Sequence, residues 1–303
     1  MATQSPTQDA GVIKLKATED RSVGYSLTTL ALRRLRRDKL TLIALATLFI
    51  MSVLSFSAPL IERYVLQVDY TRTNITNAYA PPGADGHILG TDDVGRDYLA
   101  RLLYAGQISL SIAFMAAILS LIIGVSLGVI TGYYGGIVDD IVNWVISTLN
   151  SIPQLFLLII VSGIILRNPA FSGTIFGGPF ALVLILGFLG WTGTTRLVRG
   201  ETLSLREREY IISARAIGSS PFQIMSRHII PNLLSEVVIT LALDIGALIL
   251  TESALSFLGL GVRSPDASWG SMLTAAQELF TKGIHLVVAP GLLIVITVLC
   301  MYV

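Results

Sequence analysis

Residues 107–132 read QISLSIAFMAAILSLIIGVSLGVITG. No charged side chain interrupts this run, and it exceeds the roughly 20 apolar residues that carry a helix across the hydrocarbon core of a bilayer. It is also patterned. Ala116, Ser120, Gly124, Gly128 and Gly132 recur every four residues and make two overlapping G-x-x-x-G motifs. Small residues on one helical stripe let a second helix approach closely, which is how helices associate where lipid offers no hydrophobic driving force. The segment is therefore predicted to be a membrane helix pressed against a neighbour, and its sequence does not say which.

Five further apolar blocks lie outward from it, at Leu40–Ile61, Ile141–Leu166, Pro179–Thr195, Leu233–Leu250 and His285–Val303. The expectation is an all-α integral membrane protein with six transmembrane helices. Composition agrees: 53% of the 303 residues are hydrophobic and 14% charged, with a mean hydropathy of +0.72, whereas soluble domains carry about 25% charged residues. The first block starts too far into the chain for a signal peptide. A disordered chain, a nucleic-acid-binding surface and a disulfide-stapled fold are disfavoured. Cys300 is the single cysteine, and His87, His228 and His285 stand far apart, so no metal-ligand spacing is present.

Positive charge sets the orientation. With the N-terminus inside, segments 1–39, 133–140 and 196–232 are cytoplasmic and hold 14 Lys and Arg, against 7 for segments 62–106, 167–178 and 251–284 outside. The predicted topology is N-in/C-in. The domain plan is a cytoplasmic arm 1–39, a first span 40–61, an extracytoplasmic loop 62–106 and a transmembrane domain 107–303. Leu27, Leu30 and Leu35 beside the arginines of the arm suggest an interfacial helix on an anionic leaflet, with a merely solvated topogenic charge run as the alternative.

The loop 196–232 is too structured for a simple turn. A helix is expected through Leu205–Ala216, ended by Gly218. Ser220 as N-cap and Pro221 at the first helical position then restart a second helix, with Phe222, Met225 and Ile229 on its apolar side and Pro231 closing it. A helix, a corner and a helix between two spans present a surface for a cytoplasmic partner.

Four stretches carry a family resemblance. The segment WTGTTRLVRGETLSLREREYIISARAIGSSPFQIMSRHIIPN (191–232) resembles the coupling loop of permease subunits of ATP-binding-cassette (ABC) importers. LGTDDVGRDYLARLLYAGQISLSIA (89–113), GYYGGIVDDIVNWVISTLNSIP (132–153) and LTESALSFLGLGVRSPDASWGSML (250–273) resemble the second, C-type permease of the dipeptide/oligopeptide/nickel branch. Within the loop, Ala214, Gly218 and Pro231 match the family pattern, whereas Ile212 and Ser213 replace its Glu and first Ala, with Glu209 three residues upstream. Trp144 and Ser147 stand where an Arg and an Asp are usual. The resemblance implies the type I ABC importer permease fold with cytoplasmic coupling helices. It also implies a continuation beyond Val303 into a polar tail.

The function so implied is that of a transport subunit in the cell (inner) membrane of a bacterium or archaeon, not an enzyme. It would form a translocation path with a second homologous permease for short peptides delivered by an extracytoplasmic substrate-binding protein, nickel or another small solute being the alternative. No G-x-x-x-x-G-K-[ST] phosphate loop occurs in the chain. ATP and Mg would therefore belong to two cytoplasmic ATP-binding subunits, and this chain would hold no cofactor. The coupling residues implied are Glu209, Ala214, Arg215, Ala216, Gly218, Ser220, Pro221, Phe222 and Pro231.

Asp244 is the residue a membrane least explains. It sits near the middle of the fifth span, where a carboxylate costs about 2.5–3.5 kcal/mol on insertion scales, so it should face protein or water. A cavity-lining role and a hydrogen-bonded packing role both fit. Glu252, nearer the outer end, is the second candidate pathway residue. A stand-alone ion-coupled transporter using Asp244 is the competing class, but it would bring more intramembrane charge and an inverted repeat, and neither is evident.

Overall fold

The computed structural model describes residues 36–168, 178–274 and 276–303. The interfacial segment expected around Leu27–Leu35 and most of the 167–178 loop lie outside them. The chain separates into two units, residues 1–42 and 43–303. In the first, Asp38 opens a helix by accepting hydrogen bonds from the Leu40 and Thr41 amides (3.1 and 3.3 Å) and from the Thr41 hydroxyl (2.7 Å).

In chain order the helices are α1 (Lys39–Phe56), α2 (Ala58–Ile61), α3 (Tyr98–Tyr134), α4 (Gly136–Asn150), α5 (Gln154–Arg167), α6 (Pro179–Arg206), α7 (Glu209–Ala216), α8 (Pro221–Ile224), α9 (Ile230–Phe257), α10 (Ala276–Lys282) and α11 (His285–Met301). Among the described residues there is no strand beyond an isolated bridge between Thr91 and Asp97. Four helical runs are long and apolar enough to span a membrane: α1, α3, α6 and the run Pro221–Phe257. The pair α4–α5 makes a fifth if taken together, and α11 is apolar but shorter.

The long α3 has 37 residues and rises about 56 Å at 1.5 Å per residue, well beyond a hydrocarbon core of about 30 Å. Its start is fixed by charge. Asp97 caps it by accepting from the Ala100 amide (2.7 Å), and its other oxygen meets His87 Nδ1 (2.8 Å). Beside it, buried Asp92 pairs with Arg96 (2.7 Å) and Arg101 (3.1 Å). These charges organise the loop before the span. At the other end Gly135 and Gly136, with φ of +65° and +57°, turn the chain into α4.

The glycine stripe packs against α6. A Cβ placed on Gly124 would lie 2.7 Å from Thr194 Cβ, one on Gly128 2.7 Å from Val198 Cβ, and one on Gly132 2.6 Å from Thr202 Cβ. Two four-residue ladders thus interlock, Gly124–Gly128–Gly132 against Thr194–Val198–Thr202. The approach is mutual, because Gly187 and Gly190 of α6 receive Leu119 and Ser120 of α3. Polar bonds reinforce the lower half of the pair. Thr195 donates to the Gly124 carbonyl (3.3 Å) and Arg206 to the Gly132 carbonyl (3.0 Å), while Arg199 grips Asp139 of α4 through Nε and Nη2.

Three sequence expectations change. The block Ile141–Leu166 is not one straight helix, since α4 and α5 meet at 85°. Pro153 is the N-cap of α5; it offers no amide to continue α4 and disfavours helical backbone at Ile152. Leu205 belongs to the end of α6, and the first loop helix begins only at Glu209. Pro231 does not close the second loop helix. It lies in the first turn of α9, where a proline is tolerated, and a π-helical turn over Met225–Ile229 joins α8 to α9 without a break.

The interlock yields a graded prediction. Gly128→Leu forces α3 and α6 apart and is expected to cost about 1–3 kcal/mol or more, read as a lower unfolding temperature in detergent. Gly128→Ala costs less, and adding Val198→Ala does not recover the loss, because alanine keeps the Cβ that the new methyl meets. Equal melting of all three proteins would contradict this packing.

Candidate functional site: the helical corner and the membrane carboxylates

The corner is built as the residue types demand. Helix α7 ends where Gly218 takes φ +88°, a conformation open to glycine, and beyond its chain neighbours no described heavy atom lies within 4 Å of where its Cβ would be. The Gly218 and Ser219 amides donate to the carbonyls of Arg215 (3.1 Å) and Ala214 (3.0 Å), closing the last turn. Ser220 then caps α8 by accepting from the Gln223 amide (3.3 Å), with Pro221 in its first turn.

The inner side of the corner is anchored on the membrane helices. Ile211 and Ala214 of α7, Ile224 of α8, Ile229 and Leu233 form one buried apolar cluster with Val129 of α3 and Val198 of α6. Val198 thus serves both this cluster and the contact with Gly128. The Arg215 guanidinium lies 5.6 Å from the centre of the Tyr133 ring of α3, a cation–π contact.

The outer side of the corner is apolar and uncovered. Ile217 is 84% exposed and Phe222 76%. Glu209, Arg215, Ala216, Gly218, Ser220, Pro221 and Pro231 are exposed as well, and Ala214 is buried. Phe222 therefore departs from the sequence expectation: it points away from the chain, and Ile224 takes the inward position. The sequence offered a signal for Ile224, which stands beside the assigned apolar position Met225, but a four-residue helix is too short for periodicity to choose a face.

The structure separates the two candidate pathway carboxylates. Glu252 is wholly buried on the packed side of α9. It accepts hydrogen bonds from the hydroxyls of Ser256 (2.6 Å) and Ser109 of α3 (3.2 Å), and Ser109 in turn accepts from the Trp269 amide (3.1 Å). With Trp269 Nε1 donating to the Leu102 carbonyl (3.2 Å), these bonds tie α3, α9 and the segment after α9 together. Glu252 is a structural tie here, not a surface group. Asp244 is only part-buried and accepts from the Thr194 hydroxyl of α6 at 3.2 Å. Two residues earlier on α6, Thr192 donates to Asn150 of α4 (3.3 Å).

Comparison with known proteins places this geometry. Residues 26–82 match the N-terminal transmembrane domain of oligopeptide transport permease C. The chain is 38% identical over 279 residues to the oligopeptide transport system permease protein OppC of Salmonella typhimurium, covering 91% of this chain and 87% of that protein. It is 35% identical over 258 residues to the dipeptide transport system permease protein DppC of Bacillus subtilis, covering 85% and 76%. Among solved structures, an inward-facing conformation of the MetNI methionine ABC transporter shares the fold, with a TM-score of 0.52 and 21% identity over 66% of this chain and 90% of that one. Residues 124–303, which hold the glycine ladder, the corner and both carboxylates, match the remaining profile, and the chain accordingly belongs to the family of binding-protein-dependent transport system inner membrane components.

Proposed function

We propose that the chain is one of two permeases of an ATP-driven importer of short peptides, receiving substrate from an extracytoplasmic binding protein and driven by two cytoplasmic ATP-binding subunits. The observation that carries this reading is the corner: an apolar tip, Ile217 and Phe222, uncovered on one side and seated on α3 and α6 on the other. Exposed apolar side chains clustered on a loop mark a partner surface. Family membership and the oligopeptide and dipeptide permeases among the relatives support peptides over nickel or another small solute.

Six spans and an N-in/C-in orientation complete the proposal, with α4–α5 as one bent span and α11 as the last. The positive charges support this orientation, and it puts the corner on the side where ATP is available. The ATP-binding subunits hold ATP and Mg, and this chain holds no cofactor. When they close, the tip is pushed, and the inner cluster passes the displacement to α3 and α6 as a rigid-body tilt. A stand-alone ion-coupled transporter would have no use for such a corner.

Purifying the tagged chain with its native neighbours and identifying them by mass spectrometry tests the assembly. Two ATP-binding proteins, a second permease and a peptide-loaded binding protein are expected, and recovery of the chain alone in an active transporter would contradict it. The purified chain by itself is expected to hydrolyse no ATP, and phosphate release above a no-protein control would overturn that. Gly218→Arg is expected to insert normally yet abolish ATP-dependent uptake, because φ +88° strains a side chain and the added bulk sits at the partner surface. Normal uptake by this variant would remove the corner from the coupling mechanism.

A further inference from the structure

Along α9, Glu236, Thr240, Asp244, Ala247 and Thr251 fall within an arc of roughly 80° at 100° per residue, and Glu236 to Thr251 spans about 22 Å. All five are at least partly exposed in the chain. The opposite face, with Ile245, Leu248, Ile249 and Glu252, is buried against the rest of the protein, whereas Leu233, one turn before Glu236, is buried within the arc of the stripe itself. A membrane helix therefore carries a polar stripe from Glu236 to Thr251, on a side that the chain's own elements cover only in part.

The stripe has one sign of charge. It holds two carboxylates, and α9 contains no Lys or Arg between Ile230 and Phe257. Thr240 and Thr251 return their hydroxyls to the carbonyls of Glu236 and Ala247 of their own helix (2.8 Å each). Asp244 receives the Thr194 hydroxyl and forms no ion pair among the described residues. One hydrogen bond leaves most of a carboxylate's acceptor capacity unused. Gly193, next to Thr194 on α6, is exposed, and beyond its chain neighbours and its own helix backbone no described atom lies within 4 Å of where its Cβ would stand. The carboxylate itself is only partly covered by the chain. Lipid there would leave the group unsolvated at a cost of several kcal/mol, whereas an aqueous path would not.

We propose that this stripe lines the translocation path and that Asp244 makes it select for substrates carrying a positive group, an ammonium or guanidinium of a short peptide. The proposal rests on the peptide-import reading above and adds the charge class that passes best. A carboxylate bordering a low-dielectric wall attracts a cation more strongly than one in bulk water.

The test uses the transporter assembled with its partner subunits, with Cys300 replaced by Ser and Ala247→Cys as a reporter one turn from Asp244. Impermeant thiol reagents of matched size, one cationic and one anionic, are applied to both sides of proteoliposomes with and without ATP. The cationic reagent is expected to react faster in at least one state, and Asp244→Asn to lower the cationic-to-anionic rate ratio by about tenfold, as expected for loss of one close charge interaction of moderate strength. Asp244→Glu retains the ratio. No reaction with either reagent in any state, or a ratio that Asp244→Asn leaves unchanged, overturns the proposal. Uptake of Ala-Lys-Ala against Ala-Gln-Ala separates the two readings. An assembled wild type that imports neither peptide contradicts peptide import, while the thiol rates still decide the stripe.

Discussion

The close approach of α3 and α6 governs the rest of the molecule. Three glycines spaced by four let the backbone of one helix meet the β-carbons of the other at Thr194, Val198 and Thr202. Lipid does not drive helices together by a hydrophobic effect, so contact of this closeness must supply the association through dispersion and weak polar bonds. The ladder ends at Gly132 and Thr202, where the bond from Arg206 to Gly132 closes the pair and the ion pair of Arg199 with Asp139 extends the attachment to α4.

The corner depends on that pair. Val198 touches Gly128 on one side and belongs to the apolar cluster that seats α7 and α8 on the other. A displacement of the corner would reach α3 and α6 through side chains already in contact. The π-helical turn at Met225–Ile229 carries the chain from the corner into α9 as one helical run, so the span with Asp244 is joined to the same lever. At the far end, Glu252, Ser109 and Trp269 tie α9 to α3. Corner, helix pair and α9 form a frame braced at both ends.

Much of this was legible in the sequence. Uninterrupted apolar blocks announced the membrane class, and the glycine period announced a tightly packed α3, though its partner emerged only in three dimensions because Thr194, Val198 and Thr202 make no distinctive motif. Gly218, Ser220 and Pro221 marked the corner, since a helix stop and an N-cap follow from backbone geometry. Other features were not legible. Proline is ambiguous: Pro153 breaks its block by 85° whereas Pro231 sits harmlessly in a first turn, and only the turn geometry around each distinguishes them. The face chosen by Phe222 could not be read from one helical turn. Asp244, mid-span, and Glu252, nearer the outer end, both stood as candidate pathway carboxylates, but eight residues along a helix leaves them about 80° apart, enough to bury Glu252 and leave Asp244 partly exposed.

The account's central claim is that the corner and the α3–α6 pair move as one body. Spin labels at Tyr210 on α7 and Ile122 on α3, both exposed, with Cys300 replaced, report their separation by pulsed electron paramagnetic resonance in the assembled transporter. The same distance distribution with and without trapped nucleotide is expected, while distances from either label to the second permease change. A shift of several ångströms within this chain, with α3 fixed relative to the second permease, would contradict the lever.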